Sequence, residues 1–283
     1  MSTEATSPFV STAWLAEHLG DPNVAIVDGS WHLPAANRDP RAEYEAGHIP
    51  GAVFFDIDAV ADLDNALPHM LPRPSVFAEA VGLLGIDEQQ TIVVCDAAGL
   101  FSAPRVRWTF RIMGAPDVRI LDGGLPAWKA EGRPIETGVA TPSPRTFRAA
   151  FDAGPVRDID AVRAASTDRA TQIIDARSPE RFAGASPEPR PGVEPGHIPG
   201  SLNLPASSLI SDGRLKGPEE LAAAFAATGI DPDRPIITSC GSGITAAIVS
   251  LALETTGVEG VGLYDGSWAN WGSRPDTPKE TGP

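Results

Sequence analysis

Cysteine is scarce: Cys95 and Cys240 are the only two in 283 residues. Two are too few for a disulfide framework, and such usage fits a reducing compartment. Positive charge is also in short supply, with 22 Lys and Arg against 37 Asp and Glu and a formal net charge of −15. That deficit argues against nucleic acid or an anionic membrane as the main partner, since both reward Lys and Arg. It leaves an anionic small substrate open, because a few arginines can dominate one pocket. No stretch approaches the roughly 20 apolar residues that a membrane span needs. The opening MSTEATSPFVSTAWL has no basic segment followed by an apolar one, so no signal peptide is expected. These absences lead to the expectation of a soluble, cytoplasmic globular protein.

Glycine and proline, at 28 each, are plentiful and spread between apolar runs, which indicates many turns. Length gives a prior of about two domains, and an internal repeat supports it. GHIPGA at 47–52 returns as GHIPGS at 196–201, and AIVDGS at 25–30 is answered by QIIDAR at 172–177. Asp96, ending the run IVVCD, falls opposite Cys240, ending ITSC, and LDGGLPAW at 121–128 matches YDGSWANW at 264–271. Four blocks in one order indicate two copies of one domain. Each copy alternates short apolar strands with amphipathic segments, which predicts a parallel α/β sheet. Strands are expected at 24–28, 91–95, 118–122, 171–175, 235–240 and 261–266, and helices near 76–84, 103–113, 218–228 and 245–256. The expected division is a first domain at 8–130, a Pro-rich linker at 131–155 and a second domain at 156–275.

The segment IITSCGSGITAAIVSL carries the most chemistry. A strand delivers Cys240, the loop CGSGITA follows, and an Ala-rich helix begins. Gly241 and Gly243 let successive N–H groups converge on one point, and the helix start adds free donors and a positive dipole end. An anion at the Cys240 sulfur would be stabilised by both. The bland alternative is a small buried hydrophobe, as free cysteines commonly are. A cysteine phosphatase would need an Arg six residues on, and that position is Ala246. A loop with no Lys or Arg suits a smaller, less charged species such as a persulfide.

The paired GHIPG and CGSGITA motifs, the repeat and the DGSWANW ending resemble the two-domain rhodanese family of sulfurtransferases, from about Val10 to Trp271. The resemblance implies two tandem rhodanese-like domains, each a small parallel sheet flanked by helices, with only the second copy catalytic. Asp96 in place of a cysteine agrees with that. It further implies a Cys240 persulfide cradled by Gly241, Ser242, Gly243, Ile244 and Thr245. The loop is most similar to that of family members that use 3-mercaptopyruvate, whose thiosulfate-specific relatives carry basic residues after the cysteine. By the same resemblance Arg181 and Arg190 bind the substrate carboxylate; on the residues alone they read rather as solvated surface charges, the usual fate of arginine. Asp58 and His69 of the first copy would come across the domain interface and relay protons with Ser242. Such acid–base help is worth about 100- to 10,000-fold.

A sulfur donor such as 3-mercaptopyruvate, an acceptor such as cyanide or a thiol, thioredoxin among them, and a monomer are the implied partners and state. Thiosulfate as preferred donor, and a non-catalytic sulfur- or redox-sensing module, are the alternatives. His48 and His197 occur in both copies and are expected to be structural, as are Trp128 and Trp271. Cys95, on an apolar strand, is expected to be inert. No metal-ligand spacing, P-loop or dinucleotide fingerprint is present, so no metal or cofactor is expected.

Overall fold

The computed structural model describes residues 7–283. Among these, two units separate. One comprises residues up to 60, 72–152 and 212–214, and the other residues 61–71, 153–211 and 215–283. Each unit repeats the same succession of strand and helix.

In the first unit the order is β1 (Phe9–Val10), α1 (Thr12–Glu17), β2 (Val24–Asp28), α2 (Pro40–Ala46), β3 (Val53–Phe54), α3 (Pro74–Leu83), β4 (Thr91–Cys95), α4 (Ala103–Ile112), β5 (Val118–Leu121) and α5 (Gly124–Ala130). The strands form a wholly parallel sheet in the order β1-β5-β4-β2-β3. The central strands read as continuous apolar runs, VAIVD and TIVVC, because helices cover both faces and leave no wet side to alternate towards. Helix starts follow local chemistry: Ser11 caps α1 by accepting the Trp14 amide at 3.0 Å, and Asp39 caps α2 by accepting that of Ala42 at 3.0 Å.

The second unit runs β6 (Val156–Arg157), α6 (Ile159–Asp168), β7 (Gln172–Asp175), α7 (Pro179–Phe182), β8 (Leu202–Asn203), then the short hairpin β9 (Ile210–Ser211) and β10 (Arg214–Leu215). It continues with α8 (Pro218–Thr228), β11 (Ile236–Ser239), α9 (Ala246–Thr255), β12 (Gly262–Tyr264) and α10 (Ser267–Trp271). Its five-stranded sheet, β6-β12-β11-β7-β8, has the strand order of the first. All ten long elements expected from the sequence are present, most within one or two residues. The two-residue edge strands, the β9–β10 hairpin and helices α1, α2, α5, α6, α7 and α10 are additional.

Residues 131–155 hug the first unit over most of their length. Phe147 is buried edge-on against Phe77, and the Arg145 and Ala150 amides donate to Gly82 and Met113 carbonyls. The repeated GHIPG turns have equivalent work in each unit. His48 and His197 each pair through the backbone with a late glutamate, Glu136 and Glu280. Each ring stacks on an aromatic neighbour, Tyr44 or Phe182, and bonds that neighbour's carbonyl. Trp128 and Trp271 are fully buried, donating to the Pro134 and Pro278 carbonyls. These roles are structural, as expected. No helix among the described residues is long and apolar enough to cross a membrane.

Candidate active site

The C-terminal end of β11 delivers Cys240 into a loop that closes at Thr245, where α9 begins. The thiol is buried at 2% exposure, and the Gly243 amide donates to its sulfur at 3.1 Å. Gly243 has φ +83°, the left-handed conformation that turns its N–H back towards the cysteine. The start of α10 lies along the same loop. Trp268 and Ala269 amides donate to the Cys240 and Gly241 carbonyls, both at 2.9 Å. Ser267 Oγ accepts the Cys240 amide at 3.2 Å, donates to the Tyr264 carbonyl at 2.9 Å and sits 4.0 Å from the Cys240 sulfur.

The first unit holds a carboxylate at the equivalent point. There Asp96 stands where Cys240 stands, and its carboxylate accepts four backbone amides. Ala98 donates to Oδ1 at 2.9 Å, and Phe101, Ser102 and Ala103 donate to Oδ2 at 2.7, 2.9 and 2.9 Å. The repeat aligns those amides with Ser242, Thr245, Ala246 and Ala247. The amide that reaches the Cys240 sulfur is that of Gly243, the counterpart of Gly99, so the two copies hold a carboxylate and a thiol at the same point of the fold through different amides.

Charged residues gather beside the cysteine loop. Ser178 caps α7, the short helix that carries Arg181. A Cβ placed on Gly241 would come within 2.9 Å of the Arg181 guanidinium, so that side chain lies directly against the loop. Arg181 pairs with Glu188 at 2.5 Å, Glu188 with Arg177 at 2.8 Å, and Arg177 with Asp175 at 2.6 Å. Arg177 also lies over the Trp268 ring at 4.5 Å. Burial opposes its charge, but Asp175 and Glu188 outweigh that and raise its pKa. Arg190 lies half-buried two residues beyond Glu188.

Of the expected relay, His69 and Ser242 come together, through the backbone rather than the hydroxyl. His69 Nδ1 lies 3.3 Å from the Ser242 carbonyl oxygen, which can only accept, so that nitrogen carries the proton. His69 itself holds a left-handed backbone, φ +60°. Its segment, 61–71, belongs to the second unit, anchored also by the Leu71 amide donating to Asp265 at 2.9 Å. Asp58 belongs to the first unit, where its Oδ2 accepts the Trp31 indole N–H at 3.0 Å. Ile244 and Thr245 complete the loop, the former buried.

Sequence reasoning missed Ser267, Glu188, Arg177 and Asp175. The repeat held a signal for two of them. Ser267 replaces Gly124 at a left-handed position, φ +46° against +56°, and Arg177 replaces Ser30. Cys95 ends β4 and is buried in the first unit's core. Burial pushes its thiol pKa well up, and Asp28 and Asp96 add to the push, so its thiol is kept protonated and inert.

The fold and the loop together define a class: duplicated parallel α/β proteins with a buried cysteine at the end of a central strand, in a glycine-bearing loop that leads into a helix. The family model for the rhodanese-like domain matches residues 11–131 and again 158–274. The chain belongs to the rhodanese family. It is 47% identical over 277 residues to the 3-mercaptopyruvate sulfurtransferase of Escherichia coli (strain K12), covering 98% of this chain and 99% of that one. It is 41% identical to the human 3-mercaptopyruvate sulfurtransferase, with 95% and 93% covered. The crystal structure of SseA from Escherichia coli superposes with a TM-score of 0.87 at 46% identity, over 93% of this chain and 99% of that one.

Proposed function

We propose that this chain is a 3-mercaptopyruvate sulfurtransferase working through a persulfide on Cys240. The observation that carries the reading is the buried Cys240 thiol taking the Gly243 amide at 3.1 Å, at the point where the first copy binds a carboxylate with four amides. In the first step the Cys240 thiolate attacks the sulfur of 3-mercaptopyruvate. The carbon–sulfur bond breaks with its electron pair passing to carbon, and the resulting pyruvate enolate takes a proton. The terminal sulfur left on Cys240 is anionic, and the loop amides of Gly241, Ser242, Gly243, Ile244 and Thr245 surround it. In the second step a thiophile, cyanide or a thiol, attacks that outer sulfur, and the sulfur–sulfur bond breaks to return the thiolate. Splitting the transfer into two covalent steps is nucleophilic catalysis.

Arg181, held against Gly241, and Arg190 bind the donor carboxylate through charge-assisted, fork-shaped bonds. His69, Ser242 and Asp58 handle the proton given to the enolate. Thioredoxin or a comparable dithiol protein is the cellular acceptor, and the protein acts as a cytoplasmic monomer. The uncharged loop disfavours thiosulfate, which needs more positive charge at the sulfur.

Steady-state transfer to cyanide tests the reading, comparing kcat/KM for 3-mercaptopyruvate and thiosulfate on one preparation. Mercaptopyruvate should lead by about tenfold or more, a preference of roughly 1.4 kcal/mol in the transition state. Thiosulfate ahead would overturn the donor assignment. Arg181→Gln and Arg190→Gln should raise KM for mercaptopyruvate with little change in kcat, and unaltered kinetics would remove the carboxylate clamp.

A further inference from the structure

Four of the charges beside the cysteine loop are linked in a chain. Asp175, Arg177 and Glu188 have side chains 2%, 0% and 3% exposed, while Arg181 is 23% exposed. Two guanidinium groups and two carboxylates cancel, and three of the four are sealed from water. Arg177 already has a partner in Asp175, with three contacts from its Nε and Nη2 to the Asp175 carboxylate between 2.6 and 3.1 Å. It also donates to the Gly196 carbonyl at 2.8 Å. Burying Glu188 as a second carboxylate is therefore beyond what Arg177 needs, and buried ions are costly unless their placement is useful. What Glu188 alone reaches is Arg181, the guanidinium lying against the loop.

We infer that Glu188 determines donor charge: by cancelling one positive charge behind the cysteine loop, it fits the site to a singly charged sulfur donor and against a doubly charged one. The inference rests on the sulfurtransferase reading above and adds to it a residue that sets donor choice. Its physical basis is Coulombic. Removing one negative charge within several ångström of the donor raises the local potential, and a dianion gains twice what a monoanion gains from that rise. The surplus for the dianion, at the effective dielectric of a partly buried site, is worth about tenfold in relative rate. Glu188 thereby acts as a specificity residue through Arg181, without itself touching the transferred sulfur.

Glu188→Gln keeps the size and one carbonyl oxygen while removing the charge. In the full chain, with cyanide as acceptor, the ratio of kcat/KM for thiosulfate over 3-mercaptopyruvate should rise about tenfold, and the rise should shrink in high salt as screening takes hold. Glu188→Asp, which keeps the charge, should return the ratio towards that of the unaltered protein. Equal loss for both donors, an unmoved ratio, or Glu188→Asp behaving like Glu188→Gln would overturn the inference. A measurement on the unaltered protein guards against a variant that fails to fold. Pyruvate, a monoanion, should inhibit competitively at lower concentration than oxalate, a dianion of similar size, and tighter oxalate binding would equally overturn it. Failure of the underlying reading looks different: the unaltered protein would then turn over neither donor, or prefer thiosulfate from the start.

Discussion

Replacing Asp96 by asparagine tests whether the loop is an anion cradle without touching the cysteine. Asp96 is 1% exposed and accepts four amides, three of them on one oxygen. Asparagine keeps one oxygen, which is best placed on the Phe101, Ser102 and Ala103 amides. Its NH₂ then confronts the Ala98 N–H, donor against donor. Leaving that one amide without an acceptor costs about 1–3 kcal/mol, and turning three charge-assisted bonds into neutral ones costs roughly 0.5 kcal/mol each. Against this, Asp28 is relieved of a like charge, a gain of about 0.5–1 kcal/mol. The net loss of about 2–3 kcal/mol corresponds to a fall of roughly 5–10 °C in the melting temperature of a unit this size. Asp96→Ala, which removes every acceptor, should fall further. Calorimetry on the full chain reads both. A melting temperature for Asp96→Asn within about 1 °C of the original would refute the cradle, and with it the inference from Asp96 to Cys240.

Asp28 supplies a pH test in the same unit. Burial pushes its carboxyl pKa above the usual range; Ser30 opposes the push and Asp96 adds to it. In the second unit Arg177 stands where Ser30 does and pairs with Asp175, the counterpart of Asp28. With the folded pKa raised, the unfolded chain loses its proton first as pH rises, so Asp28 lowers stability progressively through that window and most above it. Asp28→Asn should therefore raise the melting temperature near neutral pH and leave it unchanged at about pH 3; a gain independent of pH contradicts the assignment. Ser267→Gly should fold normally, since Gly124 holds the same backbone, yet slow iodoacetamide labelling of Cys240 and lower kcat, with KM little changed. If labelling and kcat are unaffected, Ser267 does not position the thiol. Arg177→Met should remove the anchor on which Glu188 and Trp268 rest, raising KM for the donor more than it lowers kcat. Unchanged KM would detach that network from donor binding.

The repeat made the fold legible. Continuous β-branched runs such as TIVVC and the Ala-rich stretch after Cys240 fixed their own elements, because buried parallel strands and Ala- and Leu-rich helices leave strong local marks. Two-residue edge strands such as β3 and β8 carry no periodicity to read, and they form only because β2 and β7 offer an open edge. Cys240 was legible from its glycines and its place between strand and helix. Glu188 was not, since a glutamate between two prolines reads as a solvated loop charge until folding brings Arg177 and Arg181 to it. His69 was named with Ser242 from the resemblance; that its ring meets the Ser242 carbonyl is a contact that sequence cannot distinguish.

Intact-mass spectrometry after brief incubation with 3-mercaptopyruvate, without acceptor, tests the central claim most directly. The account predicts a gain of about 32 Da located on Cys240, one pyruvate released per chain, loss of the added mass on adding cyanide, and none of these in Cys240→Ser. No added mass on the unaltered protein, or added mass that persists in Cys240→Ser, would contradict it.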